Sequence, residues 1–243
     1  MCTSFVLRRK SILVAMNFDN NGKDINISDS LDDGFIVSVK FKGNYFPSFG
    51  ISRSGIFVND LEVDPCDEGK YRRQSDKIWV NSTLVNKLLK NMLSFNQLYK
   101  KMDSLEFVNG PYSSTHNMIV NRNGDVIINE PGRGKIYSKR EDSNYLIMTN
   151  FPIIKNNKII SVGKTGTGID RFEIAKDYIE NRKDLSIGDC FELLKLTSQS
   201  ESEWKTDLSI VYDVTNNTVY ISKKMDFNNI QKIELLSIVD TNE

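Results

Sequence analysis

The chain has 243 residues with 32 basic and 32 acidic side chains, so its formal net charge at pH 7 is zero. Apolar residues make up 39% of the chain and charged residues 26%, which is ordinary for a globular protein. This balance gives no sign of a nucleic-acid or anionic-membrane partner, and no apolar run is long enough to span a bilayer.

The first twenty residues do not follow the pattern of a secretory signal peptide. A basic cluster at residues 8–10 precedes a short apolar run that has no small-residue cleavage site. Three widely spaced cysteines (Cys2, Cys66 and Cys190) and a single histidine predict neither a disulfide framework nor a zinc site. We therefore predict a cytoplasmic protein.

The N-terminal half is predicted to contain five strands followed by one helix. Runs rich in β-branched and aromatic residues predict strands over 3–9, 11–18 and 34–42, and two more within 46–63. The helix is predicted over 82–103 with Ser82 as its N-cap. Its buried face is marked by apolar residues at helical spacing: Leu84, Val85, Leu88, Leu89, Met92 and Leu93.

The C-terminal half predicts two hairpins with strands and helices between them. The first hairpin covers 115–130 and turns at Asn123-Gly124, and the second covers 208–222. Further strands are predicted over 135–141 and 143–151. Helices are predicted over 170–182 and 186–198, capped by Asp170 and Ser186. Long antiparallel hairpins with grouped helices indicate an α+β domain over 1–243, with two sheets covered by helices.

Cys2 follows the initiator methionine directly. Methionine aminopeptidase acts when the second residue is small, so maturation is expected to leave a cysteine with both a thiol and a free α-amino group. Their ordinary pKa values, about 8.5 and about 7.7–8.0, lie near the pH at which acid–base catalysis operates. A terminal amine that activates its own side chain is one form of nucleophilic catalysis. Position alone leaves open a chance cysteine on an edge strand.

Several segments then resemble one family in the same order along the chain. They are MCTSF, the strand that ends in NFD, SRSGIFVND, THNMIVNRNGDVIINE, LIMTNFP, GIDRFEIAK and WKTDLSIVYD. The chain resembles the N-terminal nucleophile hydrolases of the choloylglycine hydrolase and penicillin V acylase family, and their acyltransferase relatives. The segments cover nearly the whole chain, and MCTS and MTNFP are the most specific of them.

The resemblance implies an αββα four-layer sandwich and five site residues. Cys2 would attack an amide carbonyl, and Asp19 would accept hydrogen bonds from its ammonium group. Asn150 and Asn59 would donate N–H bonds to the developing oxyanion, which are worth about 2.7–4 kcal/mol each. Arg171 would lie near the thiol and favour the thiolate. The family chemistry needs no metal and no organic cofactor.

Ordinary structural roles remain open for three of these residues. Asp19 is also a common turn residue at the end of a strand. Asn59 has Asp60 beside it and the local spacing differs from that of the bile-salt enzymes, so a turn role is equally open. Arg171 is also compatible with a solvated position at the start of a helix. His116 lacks the flanks of a Cys–His dyad and is expected to be structural.

Met16 marks a departure from the family pattern. The bile-salt enzymes carry an arginine at the corresponding place, and an unbranched apolar side chain there favours an acyl tail over an anionic group. We expect Met16→Arg to alter substrate preference rather than stability. The chain is also shorter than the bile-salt enzymes, so bile salts are not the expected substrate.

The sequence therefore predicts a hydrolase of a linear amide bond in a small N-acyl compound. The chemistry would proceed through the Cys2 nucleophile and an acyl-enzyme. An acyltransferase that uses the same acyl-enzyme and a non-catalytic ligand-binding relative are the alternatives. Relatives often form homo-oligomers, but the sequence does not determine the oligomeric state.

Overall fold

A computed structural model of the chain describes residues 2–30, 34–155, 158–159, 166–201 and 203–236. The predicted removal of Met1 concerns a residue outside these ranges. The described strands form two large antiparallel sheets. The strands of sheet 1 are β1 (Cys2–Arg8), β2 (Ile12–Asn20), β13 (Tyr145–Met148), β16 (Lys205–Asp213), β17 (Thr218–Lys223) and β18 (Gln231–Glu234). Their order in the sheet is β13-β1-β2-β16-β17-β18.

The strands of sheet 2 are β3 (Ile25–Ser28), β4 (Phe35–Phe41), β5 (Asn44–Ile51), β6 (Phe57–Asn59), β7 (Leu61–Glu62), β10 (Thr115–Val120), β11 (Val126–Glu130) and β12 (Gly134–Ser138). Their order in the sheet is β12-β11-β10-β6-β5-β4-β3, with β7 also paired to β10. Two small pairs complete the strands: β8 (Ile78–Val80) with β9 (Glu106–Val108), and β14 (Ile154–Lys155) with β15 (Lys158–Ile159).

Four α-helices cover the outer faces of the two sheets within the described residues. They are α1 (Asn81–Leu89), α2 (Phe95–Lys101), α3 (Ile169–Glu180) and α4 (Ile187–Leu196). The first two pack on sheet 2 and the last two on sheet 1. Between the sheets lies an apolar layer in which the rings of Phe18 and Phe49 meet with centroids 5.2 Å apart. The predicted αββα sandwich is confirmed.

The long helix predicted over 82–103 is wrong, because the chain forms two helices there. Asn91 has a left-handed conformation with φ of 53°, which an α-helix does not accommodate. Ser94 then starts α2 with a capping box to Gln97. The N-cap of α1 is Val80 rather than Ser82. Met92 lies between the two helices and is 65% exposed, so it does not share the buried face.

The two C-terminal helices lie close to their predicted ranges. Ser186 caps α4 with a capping box to Asp189, as predicted. The cap of α3 is Gly168, and Asp170 lies in the first turn instead. Gly168 has φ of 82°, and a Cβ atom there would clash with the guanidinium of Arg171. Glycine suits this position because it permits both the left-handed turn and the path of that side chain.

The alternation of side chains in β1 and β2 decides which residues face the layer between the sheets. Ser4 contacts Met118 of sheet 2, with Oγ and Sδ 4.0 Å apart, so Cys2 faces the same way. Phe18 is paired with Cys2, and Met16 with Ser4. Met16 is only 1% exposed in this apolar layer. From the sequence we expect Met16→Arg to alter substrate preference rather than stability. The structure changes this expectation, because a charge buried in this layer should lower stability as well.

Candidate active site

Cys2 is the first residue of β1, a strand that is paired on both sides. The sulfur lies 4.0 Å from the main-chain oxygen of Asp19. Burial raises the pKa of the Cys2 thiol to about 11, and the nearby guanidinium of Arg171 lowers it by a smaller amount. Arg171 is therefore one of the groups that oppose the effect of burial, and burial has the larger effect.

The nitrogen of Cys2 donates a hydrogen bond to Oδ1 of Asn150 at 2.7 Å. This atom is a peptide nitrogen here, and it stands for the α-amino group that removal of Met1 would release. Asn150 follows β13, the neighbour of β1, so the sheet places it beside Cys2. Its Nδ2 donates to the main-chain oxygen of Glu62 at 2.6 Å. One of its two N–H groups is therefore already bonded, and its oxygen faces the Cys2 nitrogen.

Arg171 reaches the same place from the first turn of α3. Its Nη1 donates to the main-chain oxygen of Cys2 at 2.6 Å and to Oγ1 of Thr3 at 3.0 Å. Its Nη2 donates to Oδ1 of Asn150 at 2.8 Å. The side chain is 5% exposed, so Arg171 is not a solvated helix residue. A planar guanidinium suits this position because its donors have a fixed geometry.

Asp19 lies at the end of β2, with its side chain fully buried. One carboxylate oxygen accepts from Thr206 at 2.6 Å and the other from Gln199 at 2.5 Å. Arg171 is the nearby cation, with Nη1 3.7 Å from Oδ2. Burial raises the pKa of Asp19, and the hydrogen bonds from Thr206 and Gln199 oppose this effect. The Cys2 nitrogen is predicted to donate to Asp19, but in this structure it donates to Asn150.

Asn59 comes to the site from sheet 2. It is paired with Phe49, whose ring packs on Phe18 across the layer between the sheets. Because Phe18 is the partner of Cys2 in sheet 1, Asn59 and Cys2 face the same layer. Its Oδ1 accepts from the main-chain nitrogen of Met118 at 2.8 Å. Over the residues that the structure describes, its buried Nδ2 has no hydrogen-bond partner.

Sequence reasoning missed the two partners of Asp19, Gln199 and Thr206. Thr206 stands in the segment WKTDLSIVYD, which the resemblance included, so that segment was the available signal. Thr206 lies opposite Asp19 in the sheet, a pairing that links distant parts of the chain. No group of His, Cys, Asp and Glu residues suited to a metal ion is found among the described residues.

The arrangement brings together a thiol, a guanidinium, a buried carboxyl group and the amide oxygen that accepts from the Cys2 nitrogen. An unpartnered amide donor, that of Asn59, faces the same layer from sheet 2. All five side chains belong to residues that are 5% exposed or less. Groups removed from water interact more strongly with one another than they would in bulk solvent. Such a site has the parts needed for nucleophilic attack on a carbonyl carbon and for stabilising the oxyanion that forms.

Comparison with known proteins identifies the fold through structure and not through sequence. Neither a scan against protein-family models nor a search of curated proteins finds a match. Solved structures match over nearly the whole chain, and these neighbours are N-terminal nucleophile hydrolases. The chain therefore has the sandwich fold of that class of enzymes. In the described part of the chain, no helix is long and apolar enough to cross a membrane.

Three neighbours illustrate the similarity. A mutant of a conjugated bile acid hydrolase from Clostridium perfringens has a TM-score of 0.64 at 14% identity, covering 96% of this chain and 92% of its own. Penicillin V acylase from Agrobacterium tumefaciens has a TM-score of 0.61 at 14% identity, covering 97% and 92%. A Caenorhabditis elegans ortholog of N-acylethanolamine-hydrolyzing acid amidase has 0.60 at 15%, covering 88% and 93%. At such low identity the likeness establishes the fold alone.

Proposed function

We propose that this protein hydrolyses a linear amide bond in a small N-acyl compound, with Cys2 as an N-terminal nucleophile. One observation carries the proposal. The nitrogen of Cys2, which would become the terminal amine, is held 2.7 Å from Asn150 Oδ1, and Arg171 holds that same oxygen. Two buried side chains thus fix the main chain of a cysteine that stands second in the sequence.

The proposed reaction begins with transfer of the thiol proton to the α-amino group of Cys2. The sulfur then attacks the amide carbonyl carbon, and the carbonyl oxygen takes up the negative charge. Collapse of this intermediate breaks the C–N bond, and the ammonium group returns the proton to the leaving amine. Water then attacks the thioester of the acyl-enzyme with the same amine as base, which releases the acid and the free thiol.

Two side chains are candidates for stabilising the oxyanion. Asn59 Nδ2 is buried without a partner among the described residues. This is expected of a donor whose hydrogen-bond partner is an oxygen of the substrate. Asn150 Nδ2 has one N–H group on Glu62 and a second N–H group to offer. A donor of this kind is worth about 2.7–4 kcal/mol in the transition state. We assign the main donor role to Asn59.

The surroundings of the thiol favour an apolar acyl group. Met16, Phe18 and Phe49 are buried in the layer that Cys2 faces. None of them offers a charged group for an anionic substrate. The neighbours named above act, by their descriptions, on a conjugated bile acid, a penicillin and an N-acylethanolamine. Each of these molecules contains an N-acyl linkage, which supports the substrate class but not one particular acid or amine.

Mass spectrometry of the intact protein tests the proposal. Purified protein is exposed briefly to activated acyl donors, and Cys2→Ala is treated in parallel. We expect Met1 to be absent and one acyl group to be added to the wild type but not to Cys2→Ala. Cys66→Ala and Cys190→Ala are the matched thiol controls, since both cysteines are also free. Both controls should still be acylated, whereas a retained Met1 or an adduct that persists in Cys2→Ala contradicts the proposal.

Two alternatives are separated by further measurements. An acyltransferase passes the acyl group to an amine instead of water, so transfer product in excess of hydrolysis, with a candidate amine present, would favour it. A non-catalytic binding protein is favoured by Met16 in place of the family arginine and by the thiol pKa of about 11. In that case a ligand would bind equally well to Cys2→Ser, and no turnover would be found.

The proposed compartment is the cytoplasm. Cys2, Cys66 and Cys190 are all free thiols in the structure. Free cysteines are typical of reducing compartments, whereas secreted proteins tend to pair theirs. A measured redox state of these thiols in cells would test this assignment, and a disulfide between any two of them would contradict it.

A further inference from the structure

Two buried side chains of sheet 2 hold the segment that carries Asn150. His116 of β10 contacts the main-chain oxygen of Thr149 through Nε2 at 2.8 Å. Glu130 of β11 accepts the main-chain N–H groups of residues 153–154, one on each carboxylate oxygen, both at 2.9 Å. The main chain is therefore bonded on both sides of Asn150, one residue before it and three to four residues after it.

His116 and Glu130 also bind each other. Nδ1 of the imidazole lies 2.7 Å from Oε1 of the carboxyl group, and both side chains are fully buried. A carbonyl oxygen only accepts hydrogen bonds, so Nε2 must donate to Thr149. Nδ1 and Oε1 then form one hydrogen bond, in which one of the two groups is the donor. Every nitrogen and oxygen of the pair is thus engaged, which restricts both side chains to one orientation.

The segment between β13 and β14 lacks ladder hydrogen bonds of its own. Its buried N–H and C=O groups need partners from elsewhere in the molecule. Apolar residues of similar volume often give the same stability as a buried pair of titratable side chains, so stability alone does not explain this pair. The other hydrogen bonds of this pair go to the main chain on either side of Asn150. These contacts indicate that the pair fixes the segment that carries Asn150.

We propose that His116 and Glu130 are positioning residues that hold Asn150 in place against Cys2. This inference rests on the proposed function, in which Asn150 Oδ1 holds the amine of Cys2. It extends the site to a pair that touches neither the substrate nor the thiol. Glu130→Gln is expected to weaken the pair, because the amide nitrogen of glutamine faces a main-chain N–H donor instead of accepting from it.

The first test needs no turnover. Two-dimensional NMR follows the main-chain amides of Ile153 and Ile154 and the side-chain amide of Asn150. In Glu130→Gln we expect faster hydrogen exchange at the main-chain amide that faces the new NH2 group, and a shifted Asn150 signal. The amide of Met118, which bonds to Asn59, should keep its protection. Unchanged exchange and an unchanged Asn150 signal would overturn the proposal.

The second test separates positioning from a general structural role. In a double-mutant cycle, Glu130→Gln should lower kcat about 10²-fold, with little change in KM, in the wild-type background. In an Asn150→Ala background it should cause almost no further loss, because the residue that it positions is already absent. Full additivity of the two losses would overturn the positioning role.

Tyr212→Phe is the matched control for this cycle. Tyr212 is fully buried in β16 and donates to Asn217 at 2.8 Å, without contact to the Asn150 segment. Its loss should lower stability, and any effect on kcat should be the same in both backgrounds. If Glu130→Gln does not fold, His116→Gln replaces it in both tests, since glutamine keeps a donor for Thr149 and weakens the link to Glu130.

Failure of the proposed function gives a different result from failure of this inference. A wild-type protein without turnover or acylation at Cys2 contradicts the proposed function alone, and the NMR comparison still decides whether the pair fixes the segment. A catalytically active protein in which Glu130→Gln leaves exchange, the Asn150 signal and kcat unchanged contradicts the inference alone.

Discussion

Replacement of Arg171 by methionine tests the centre of the site. The change removes hydrogen bonds from one guanidinium to Cys2, Thr3 and Asn150. It also leaves the buried carboxyl group of Asp19 without its cation at 3.7 Å. Breaking a buried charge pair by removing one partner costs about 3–5 kcal/mol. We therefore expect Arg171→Met to lower the free energy of unfolding by about 3–5 kcal/mol at neutral pH.

The pH dependence of this loss has a definite sign. Burial raises the pKa of Asp19, and Arg171 is among the groups that lower it. Without Arg171 the pKa of Asp19 rises further, so the folded variant takes up a proton at a higher pH than the wild type. Protonation removes the unpaired charge. The stability difference between variant and wild type should therefore be largest at neutral pH and should shrink as the pH falls.

Urea denaturation at several pH values measures these differences, and acylation of Cys2 measures the effect on the site. We expect acylation to slow about 10²-fold because Asn150 and the main chain of Cys2 lose a shared anchor. Arg8→Met is the matched control. Arg8 is also buried on β1, but it donates to Ser138 and to main-chain oxygens away from Cys2.

The control should lose stability while Cys2 keeps its acylation rate. A loss below about 1 kcal/mol in Arg171→Met, typical of an exposed ion pair, would refute our account of its burial. Equal slowing of acylation in Arg8→Met and Arg171→Met would show that general destabilisation, and not the contacts of Arg171, explains the rate.

Three further predictions concern single residues. Cys2→Ala should abolish turnover and keep a cooperative unfolding transition, and residual turnover in this variant would exclude Cys2 as the nucleophile. Asn59→Ala should lower kcat about 10²–10³-fold with KM nearly constant, and steady-state kinetics that instead show only a higher KM would remove it from the oxyanion site. Burial raises the pKa of Asp60 from 3.8 to about 6, so the folded state binds this proton more tightly. Stability should therefore fall by at most about 3 kcal/mol as the pH rises between these values, since the side chain keeps some exposure. Denaturation of Asp60→Asn should lack this slope, and equal slopes would contradict the assignment.

Local signals in the sequence were sufficient where the structure depends on neighbouring residues. Ser186 and Asp189 cap each other within one turn, so the start of α4 could be predicted. The break in the helix predicted over 82–103 could not, although Ser94 and Gln97 are close in sequence. There the apolar spacing continues across Asn91, whose side chain accepts from the main chain of Ser54. A distant partner thus supports the turn that ends α1.

The site shows the same division between near and distant contacts. Resemblance to a family supplied Cys2, Asp19, Asn59, Asn150 and Arg171 as candidates. Four of them lie close together in the structure, and Asn59 faces the same layer from sheet 2. The partners of Asp19 are Thr206, on the neighbouring strand, and Gln199, in the segment that precedes that strand. No periodicity links residues so far apart in the chain. The acceptor for the Cys2 nitrogen likewise depends on how β13 lies beside β1, which the sequence does not specify.

The place of β1 in sheet 1 has a consequence for synthesis of the protein. Its partners are β2, which follows at once, and β13, which begins at Tyr145. At about 5–20 residues per second, a ribosome needs roughly 7–29 s to reach that strand. Throughout this time the edge of β1 that β13 later covers is unpaired. The strand that carries Cys2 is therefore covered on both edges only after synthesis has passed Tyr145, so the site forms late in translation.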